Sequence, residues 1–166
     1  MGYQLVETIT VGAGGAASIE FTSIPQDGVD LVLVYSLRGT ATLITGATVN
    51  LNSDTTNANY AGIELTGNGS TASSGVSVRP FVYITDATYT SNTFASGQSY
   101  ISNYTSSAAK SVSTEGVSEN NATTAYQQLH ASSYTPTTAI TSIRVSSSRL
   151  NLDVGSTASL YKITAD

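Results

Sequence analysis

The amino-acid sequence predicts a single all-β domain, residues 1–166, built as an antiparallel two-sheet sandwich of the jelly-roll type with about nine to eleven strands. The composition favours strands, because 50 of the 166 residues are Ser or Thr and only six are Lys or Arg. Thr is common in strands and both Ser and Thr are common in turns, whereas surface helices need Lys, Arg and Glu. Short apolar segments also recur along the chain with turn residues between them, which is typical of sandwiches and barrels.

The N-terminal segments alternate between apolar and polar residues. Residues 3–11 form the first predicted strand, with their odd-numbered side chains on one face, and residues 17–24 form the second, with Ile19 and Phe21 facing inward. Gly-Ala-Gly-Gly at 12–15 reads as a turn, so these two strands are expected to pair as a hairpin. Residues 31–37 are almost continuously apolar and β-branched, which favours a central strand over a buried helix.

Turn residues separate the later strands. Pro80 marks an edge or a bulge in its strand, because proline cannot donate to a strand ladder. Residues 60–65 fit either a strand or a single helical turn, and residues 54–59, 67–75 and 86–97 read as loops. The remaining predicted strands are 48–52, 76–85, 98–104, 110–118, 123–133, 140–147 and 156–164.

Charge and composition exclude several classes of partner. Only 10% of the residues are charged, the net charge is −5 and the pI is about 4.6, so binding to nucleic acid or to an anionic membrane is not expected. No apolar run reaches the 18 or more residues of a membrane span, and the first residues lack the pattern of a secretion signal. The absence of cysteine excludes disulfides and thiolate chemistry.

The sequence offers no recognisable catalytic, cofactor or metal site. His130 is the only histidine, and no Gly-x-Ser-x-Gly motif accompanies it. Zinc would need more His or Cys ligands. The run from Asn50 to Asp54 begins like a calcium-binding loop, but Thr55 and Ala61 stand where glycine and glutamate are required. We therefore expect a protein that is not an enzyme and that carries no cofactor.

Tyrosine is the residue that suggests recognition. The chain has 10 Tyr against 3 Phe and no Trp. Tyrosine offers rigid contact area with a polar tip, but half-buried strand tyrosines with bonded hydroxyls would explain the same composition. The candidates for partner contact are Tyr35, Tyr60, Tyr89, Tyr100, Tyr104, Tyr126 and Tyr134.

Several segments that follow one another in order carry a family resemblance. They are Ser-Ile-Glu-Phe-Thr-Ser-Ile-Pro at 18–25, Asp-Leu-Val-Leu-Val at 30–34, Ser-Leu-Arg at 36–38, Asn-Tyr at 59–60, Leu-x-Gly-x-Gly-Ser at 65–70, Ile-x-Asn-Tyr at 101–104, Lys-Ser-Val at 110–112 and Gly-Ser-Thr-Ala-Ser-Leu-Tyr-Lys-Ile at 155–163. Together they resemble virion proteins of tailed phages, chiefly marine and environmental ones.

The resemblance implies a capsid cement or decoration protein, or a small tail-associated component, and brings no catalytic residues with it. Its expected partners are further copies of the same chain, as a homo-oligomer and most simply a trimer, and the major capsid protein. Its expected place is the outer surface of the head in the mature particle, after assembly in the host cytoplasm. The alternatives are a receptor- or carbohydrate-binding head of a tail fibre and a secreted enzyme of unknown class.

Overall fold

Twelve strands and one short 3-10 helix at Asn57–Asn59 form the regular structure of the described residues, 2–119 and 125–165, in a computed structural model. The strands are β1 Gly2–Thr10, β2 Ser18–Phe21, β3 Asp30–Leu37, β4 Thr45–Leu51, β5 Tyr60–Gly67, β6 Ala72–Val76, β7 Phe81–Ile84, β8 Ala95–Ile101, β9 Lys110–Ser118, β10 Tyr126–Tyr134, β11 Ile143–Ser147 and β12 Thr157–Thr164.

The strands form two antiparallel sheets. The larger sheet has the order β1-β12-β3-β8-β9-β10-β5-β6, and the smaller sheet has the order β2-β11-β4-β7. The strands β1, β12, β3 and β8 face β2, β11, β4 and β7 with the connectivity of a jelly roll, in which eight strands alternate between two four-stranded sheets. Two insertions, β5–β6 and β9–β10, then lengthen one of these sheets to eight strands. The predicted fold class is confirmed.

The core lies between the two sheets and consists of the inward-facing side chains of both. In β3, Leu31, Leu33 and Leu37 are fully buried, because they alternate onto the side of the strand that faces the smaller sheet. In the smaller sheet, Val49 and Val145 stand opposite each other and are equally buried. One contiguous cluster joins these residues to the rest of the buried apolar side chains.

Two neighbouring glycines make room on the inner face of the larger sheet. Gly97 and Gly116 are register partners in β8 and β9. A Cβ at Gly116 would lie 2.8 Å from Val82 of β7, so a side chain there would push the two sheets apart. A Cβ at Gly97 would lie 2.6 Å from the ring of Tyr35 in β3, so a side chain there would displace that ring.

The N-terminal hairpin predicted from the sequence is wrong. β1 belongs to the larger sheet and pairs with β12, whereas β2 belongs to the smaller sheet and pairs with β11. The chain crosses between the sheets at residues 11–17, where Ala16 bridges to Leu152. A bulge between Leu5 and Glu7 also interrupts the predicted alternation of β1.

Other predictions hold or need a shift of bounds. The strand at 110–118 and the inward orientation of Ile19, Phe21 and Val49 are confirmed. Residues 60–65 are a strand, and the predicted loop at 67–75 contains most of β6, which pairs with β5 from Ala72 onward. The strand predicted at 123–133 is β10, and its first two residues lie outside the described part of the chain. The total exceeds the predicted nine to eleven because β6 was read as loop.

Candidate interaction surface

The larger sheet has an outer face, formed by the side chains that point away from the smaller sheet. The ladders place one side chain of each strand in a continuous row across this face. From β1 to β6 the row reads Leu5, Tyr161, Val32, Tyr100, Ser113, Ala131, Ile63 and Val76. Seven of these eight residues are apolar or aromatic, and five of the seven are exposed, whereas Val32 is buried and Tyr161 is half-buried.

The insertion strands carry the most exposed apolar side chains of the outer face. Ile63 and Leu65 of β5 are 63% and 57% exposed, Val76 of β6 is 84% exposed and Leu129 of β10 is 50% exposed. Ala131 of β10 is the register partner of Ile63 in β5 and of Ser113 in β9. We call these five residues the apolar patch. Contiguous exposed apolar side chains of this kind mark interaction sites on soluble proteins.

Behind the apolar patch the opposite side of the same strands is polar, although Tyr60 and Tyr134 at one end of these strands reach the core. Glu64 and Thr66 of β5 and Gln128 and His130 of β10 point toward the interior side of the sheet, as their alternation with the apolar patch requires. Gln128 and His130 are buried there, and Gln128 accepts a hydrogen bond from the Tyr83 backbone N–H of β7. A half-buried sheet normally turns its apolar side inward. In the insertion, the apolar side faces outward.

The apolar patch borders a shallow depression. Its volume is about 580 Å³, and its lining includes Ala61, Ile63, Val76, Val78 and Ala131. A second depression of about 340 Å³ lies further along the same strands beside Leu65 and Leu129. The outer face of the insertion therefore carries two shallow depressions beside the apolar patch.

Charges are scarce on the outer face. Glu115 accepts a hydrogen bond of 2.7 Å from Gln98, and Asp30 at the end of the sheet accepts hydrogen bonds from the Tyr100 hydroxyl and the Asn103 backbone N–H. The hydrogen bond to Asp30 raises the pKa of Tyr100 to about 12.

Each of the six cations has a partner within the protein. Arg38 is buried and donates to the carbonyl oxygens of residues 89, 90 and 93, and Lys110 is buried and donates to those of residues 106, 108 and 138. Arg79 donates to Asn50, and Arg144 pairs with Glu20. Arg149 donates to the Ile44 carbonyl, and Lys162 pairs with Asp27. No cluster of free cations faces outward in the described chain to attract a phosphate backbone.

Most of the candidate tyrosines lie inside the sandwich. Tyr100 is 38% exposed on the outer face, and Tyr126 is partly exposed beside the ring of Tyr83, at 4.5 Å between centroids. A role in partner contact therefore stays a prediction for these two. The buried candidates, which have little surface to offer a partner, are Tyr35, Tyr60, Tyr89, Tyr104 and Tyr134.

The buried tyrosines are held by their hydroxyl groups. Tyr104 donates to the Pro25 carbonyl and accepts from the Gly28 backbone N–H at 3.1 Å. Tyr60 accepts from the Leu51 N–H at 2.9 Å, and Tyr134 donates to Asp54 at 3.2 Å. Burial raises the pKa of Tyr134 to about 12. These bonds explain why tyrosine rather than phenylalanine occupies the positions, since the ring fills the core and the hydroxyl satisfies a loop.

The turn that begins like a calcium loop uses its oxygens within the protein. Asp54 accepts hydrogen bonds from the Asn59 side chain at 2.6 Å and the Thr56 backbone N–H at 2.8 Å, and these bonds lower the pKa of its carboxyl. The Asn52 amide oxygen accepts from the Thr141 N–H at 2.8 Å. No group of three or more His, Cys, Asp or Glu that could hold a metal ion occurs among residues 2–119 and 125–165.

His130 lies on the interior side of β10, with Glu64 and Thr114 as its register partners. Neither ring nitrogen has a hydrogen-bond partner of good geometry. Burial lowers the pKa of the imidazole, and the nearby Ser77 backbone opposes this only in part. A buried neutral histidine of this kind fills space in the insertion.

The alternation at residues 60–65 and 127–133 was the signal that could have located the apolar patch. Sequence reasoning left the first segment undecided between strand and helical turn, and it could not tell which side of either strand faced the smaller sheet.

Within the part of the chain that the structure describes, no helix is long and apolar enough to cross a membrane. Comparison of the chain with models of known families, with curated proteins and with solved structures finds no match.

Proposed function

We propose that this protein is a structural component of a tailed-phage particle, a cement or decoration protein that binds the outer surface of the head as an oligomer. The observation that carries the proposal is the uncovered apolar outer face of a sheet that the insertions extend to eight strands. Such a face has its use when a neighbouring protein covers it. The resemblance of the ordered segments to virion proteins supplies the phage context.

The mechanism is bridging. Each copy would bury part of its surface on neighbouring capsomers, and many copies would resist the separation of those capsomers through multivalency. A rigid sandwich whose loops are held by internal hydrogen bonds suits this task. The Arg38 guanidinium, for example, fixes the loop at residues 86–94 through three carbonyl oxygens.

Purified particles would test the proposal. Mass spectrometry of intact virions should detect the protein at a copy number comparable to that of the capsomers, and a reconstruction should place it on the head. Particles that lack it should release DNA at lower temperature than wild-type particles, and adding the purified protein back should restore their stability. A mature head without the protein would contradict the proposal.

A receptor- or carbohydrate-binding head of a tail fibre is the second candidate. The observation that favours it lies at the far end of the outer face, where Tyr100 and Tyr161 flank Val32 and Tyr100 donates to Asp30. Aromatic rings beside a carboxylate can stack on a sugar and accept its hydroxyls. Binding of the purified protein to host cells or to a glycan array, lost in Tyr100→Ala, would favour this candidate. A blank result on both would remove it.

A further inference from the structure

We propose that a second copy of this chain covers the apolar patch, so that the outer face of the insertion strands is the interface of a homo-oligomer. This contact adds an interface between copies of the chain to the proposed function, and it rests on that function only for the place where the oligomer acts. The first argument is the direction of the side chains. Strands β5 and β10 turn Ile63, Leu65 and Leu129 outward and Glu64 and His130 inward, so the apolar side of these strands must find its cover outside the monomer.

The second argument is charge. The outer face carries one carboxylate in its middle, Glu115, which already bonds to Gln98, and Arg79, three residues after Val76 of the apolar patch, is already held by Asn50. A partner recognised through charge would find nothing complementary here. A second copy brings another face that is almost uncharged, and the central carboxylate of each face, Glu115, would keep its hydrogen bond to Gln98 when two such faces meet.

The third argument is area. Eight strands about 4.8 Å apart span about 38 Å, and the three side-chain rows on the outer face cover about 20 Å along the strands. The whole face therefore measures about 800 Å², which equals the area that each partner buries in a stable interface of standard size, and the four insertion strands supply about half of it. The apolar patch would anchor the contact at the insertion end of the face, and the Ser, Thr and Gln side chains next to it would form the polar rim.

The fourth argument is the edge that adjoins the apolar patch. β6 is the last strand of the larger sheet, all five of its residues are exposed, and it contains no Lys, Pro or bulge. Proteins that remain monomeric protect such an edge with these devices. An unprotected edge beside an exposed apolar face is the arrangement expected where another copy lies against both.

Sedimentation velocity of the purified full-length chain tests the proposal. The wild-type protein should sediment as an oligomer at about 10 μM, as expected for an interface of this size. Leu65→Lys should raise the dissociation constant by about 100-fold or more, because the oligomer would bury an uncompensated charge. The register partners of residue 65 are Leu129 and Ser74, and neither can pair with a lysine. Ile63→Lys, at a different point of the apolar patch, should have the same effect.

Leu150→Lys is the matched control. Leu150 is 71% exposed, in the connection between β11 and β12 and away from the outer face, so this variant should sediment like the wild type. Far-UV circular dichroism should show the same strand signal in all of these proteins. A wild-type protein that is monomeric at about 100 μM overturns the proposal, as does an oligomer that neither patch variant weakens. A monomer that still decorates heads through this face would overturn the second copy as the occupant and leave the proposed function standing.

Discussion

The loss of one buried hydroxyl group should distinguish a tyrosine that stabilises the fold from a tyrosine that is available to partners. Tyr104 is fully buried, and its hydroxyl joins two points of the turn between β2 and β3, as donor to the Pro25 carbonyl and as acceptor from the Gly28 N–H. Tyr104→Phe keeps the ring and leaves both backbone groups without this partner. We expect the fold to survive, with a lower free energy of unfolding.

The magnitude follows from the two lost bonds. A partly buried donor or acceptor left unsatisfied costs about 1–3 kcal/mol, and the Pro25 carbonyl can recover part of its share from water because Pro25 is exposed. We therefore expect a loss of about 2 kcal/mol in total. For a chain of 166 residues this corresponds to a decrease of about 4–8 °C in Tm.

Thermal and urea unfolding of Tyr104→Phe and of Tyr100→Phe measure the effect. Tyr100 also donates to a loop carboxylate, but it does so on the exposed outer face, so its hydroxyl should contribute no more than about 0.5 kcal/mol. Equal Tm values for Tyr104→Phe and the wild type would refute the assignment of this hydroxyl as the anchor of the turn. A larger loss in Tyr100→Phe than in Tyr104→Phe would refute the distinction between the two sites.

Three further changes probe other parts of the fold. Gly116→Ala should destabilise the protein by about 1–3 kcal/mol in urea unfolding, because its methyl would collide with Val82, whereas Gly67→Ala, where nothing lies within 4 Å, should change little. Arg38→Met should cost about 3 kcal/mol and speed amide hydrogen exchange in residues 86–94, and unchanged exchange there would exclude the proposed anchor. His130 has a folded pKa below its unfolded value of 6.5, so the unfolded chain binds its proton first and stability should fall as pH decreases below about 6.5. His130→Gln should flatten the dependence between pH 7.5 and pH 5, and an unchanged slope would assign it to other groups.

Local pattern was sufficient for most strands of this protein. The apolar run around residues 31–37 determines its conformation almost alone, because it is short, contains β-branched residues and has Gly28 and Gly39 on either side. The Val and Thr residues of 110–118 favour a strand in the same way. β6 could not be predicted in this way, since Ala-Ser-Ser-Gly-Val has little strand propensity and becomes a strand by pairing with β5. The assignment of β1 and β2 to different sheets depends on distant partners, which the residues between them do not encode.

The candidate surface was harder to predict than the fold for a related reason. Periodicity shows that Ile63 and Leu65 share a side of their strand, but it does not show on which side the smaller sheet lies. That information comes from the insertion of β5 and β6 beyond β10, where little of the smaller sheet reaches. The number of tyrosines likewise could not predict which of them are available to a partner. A tyrosine whose hydroxyl is bonded inside the fold, as in Tyr104, and a tyrosine on the surface contribute equally to the composition.

The order of the strands in the larger sheet also constrains how the domain could have grown. Strand β9 pairs with β8 of the jelly roll and β10 pairs with β9, whereas β5 pairs with β10 and β6 pairs with β5. The segment 110–134 could therefore exist on an ancestral eight-stranded domain without the segment 60–76, whereas the reverse arrangement would leave β5 with no ladder to join. Relatives that have only one of these insertions should thus have β9–β10, and the β9–β10 insertion should have been acquired before the β5–β6 insertion.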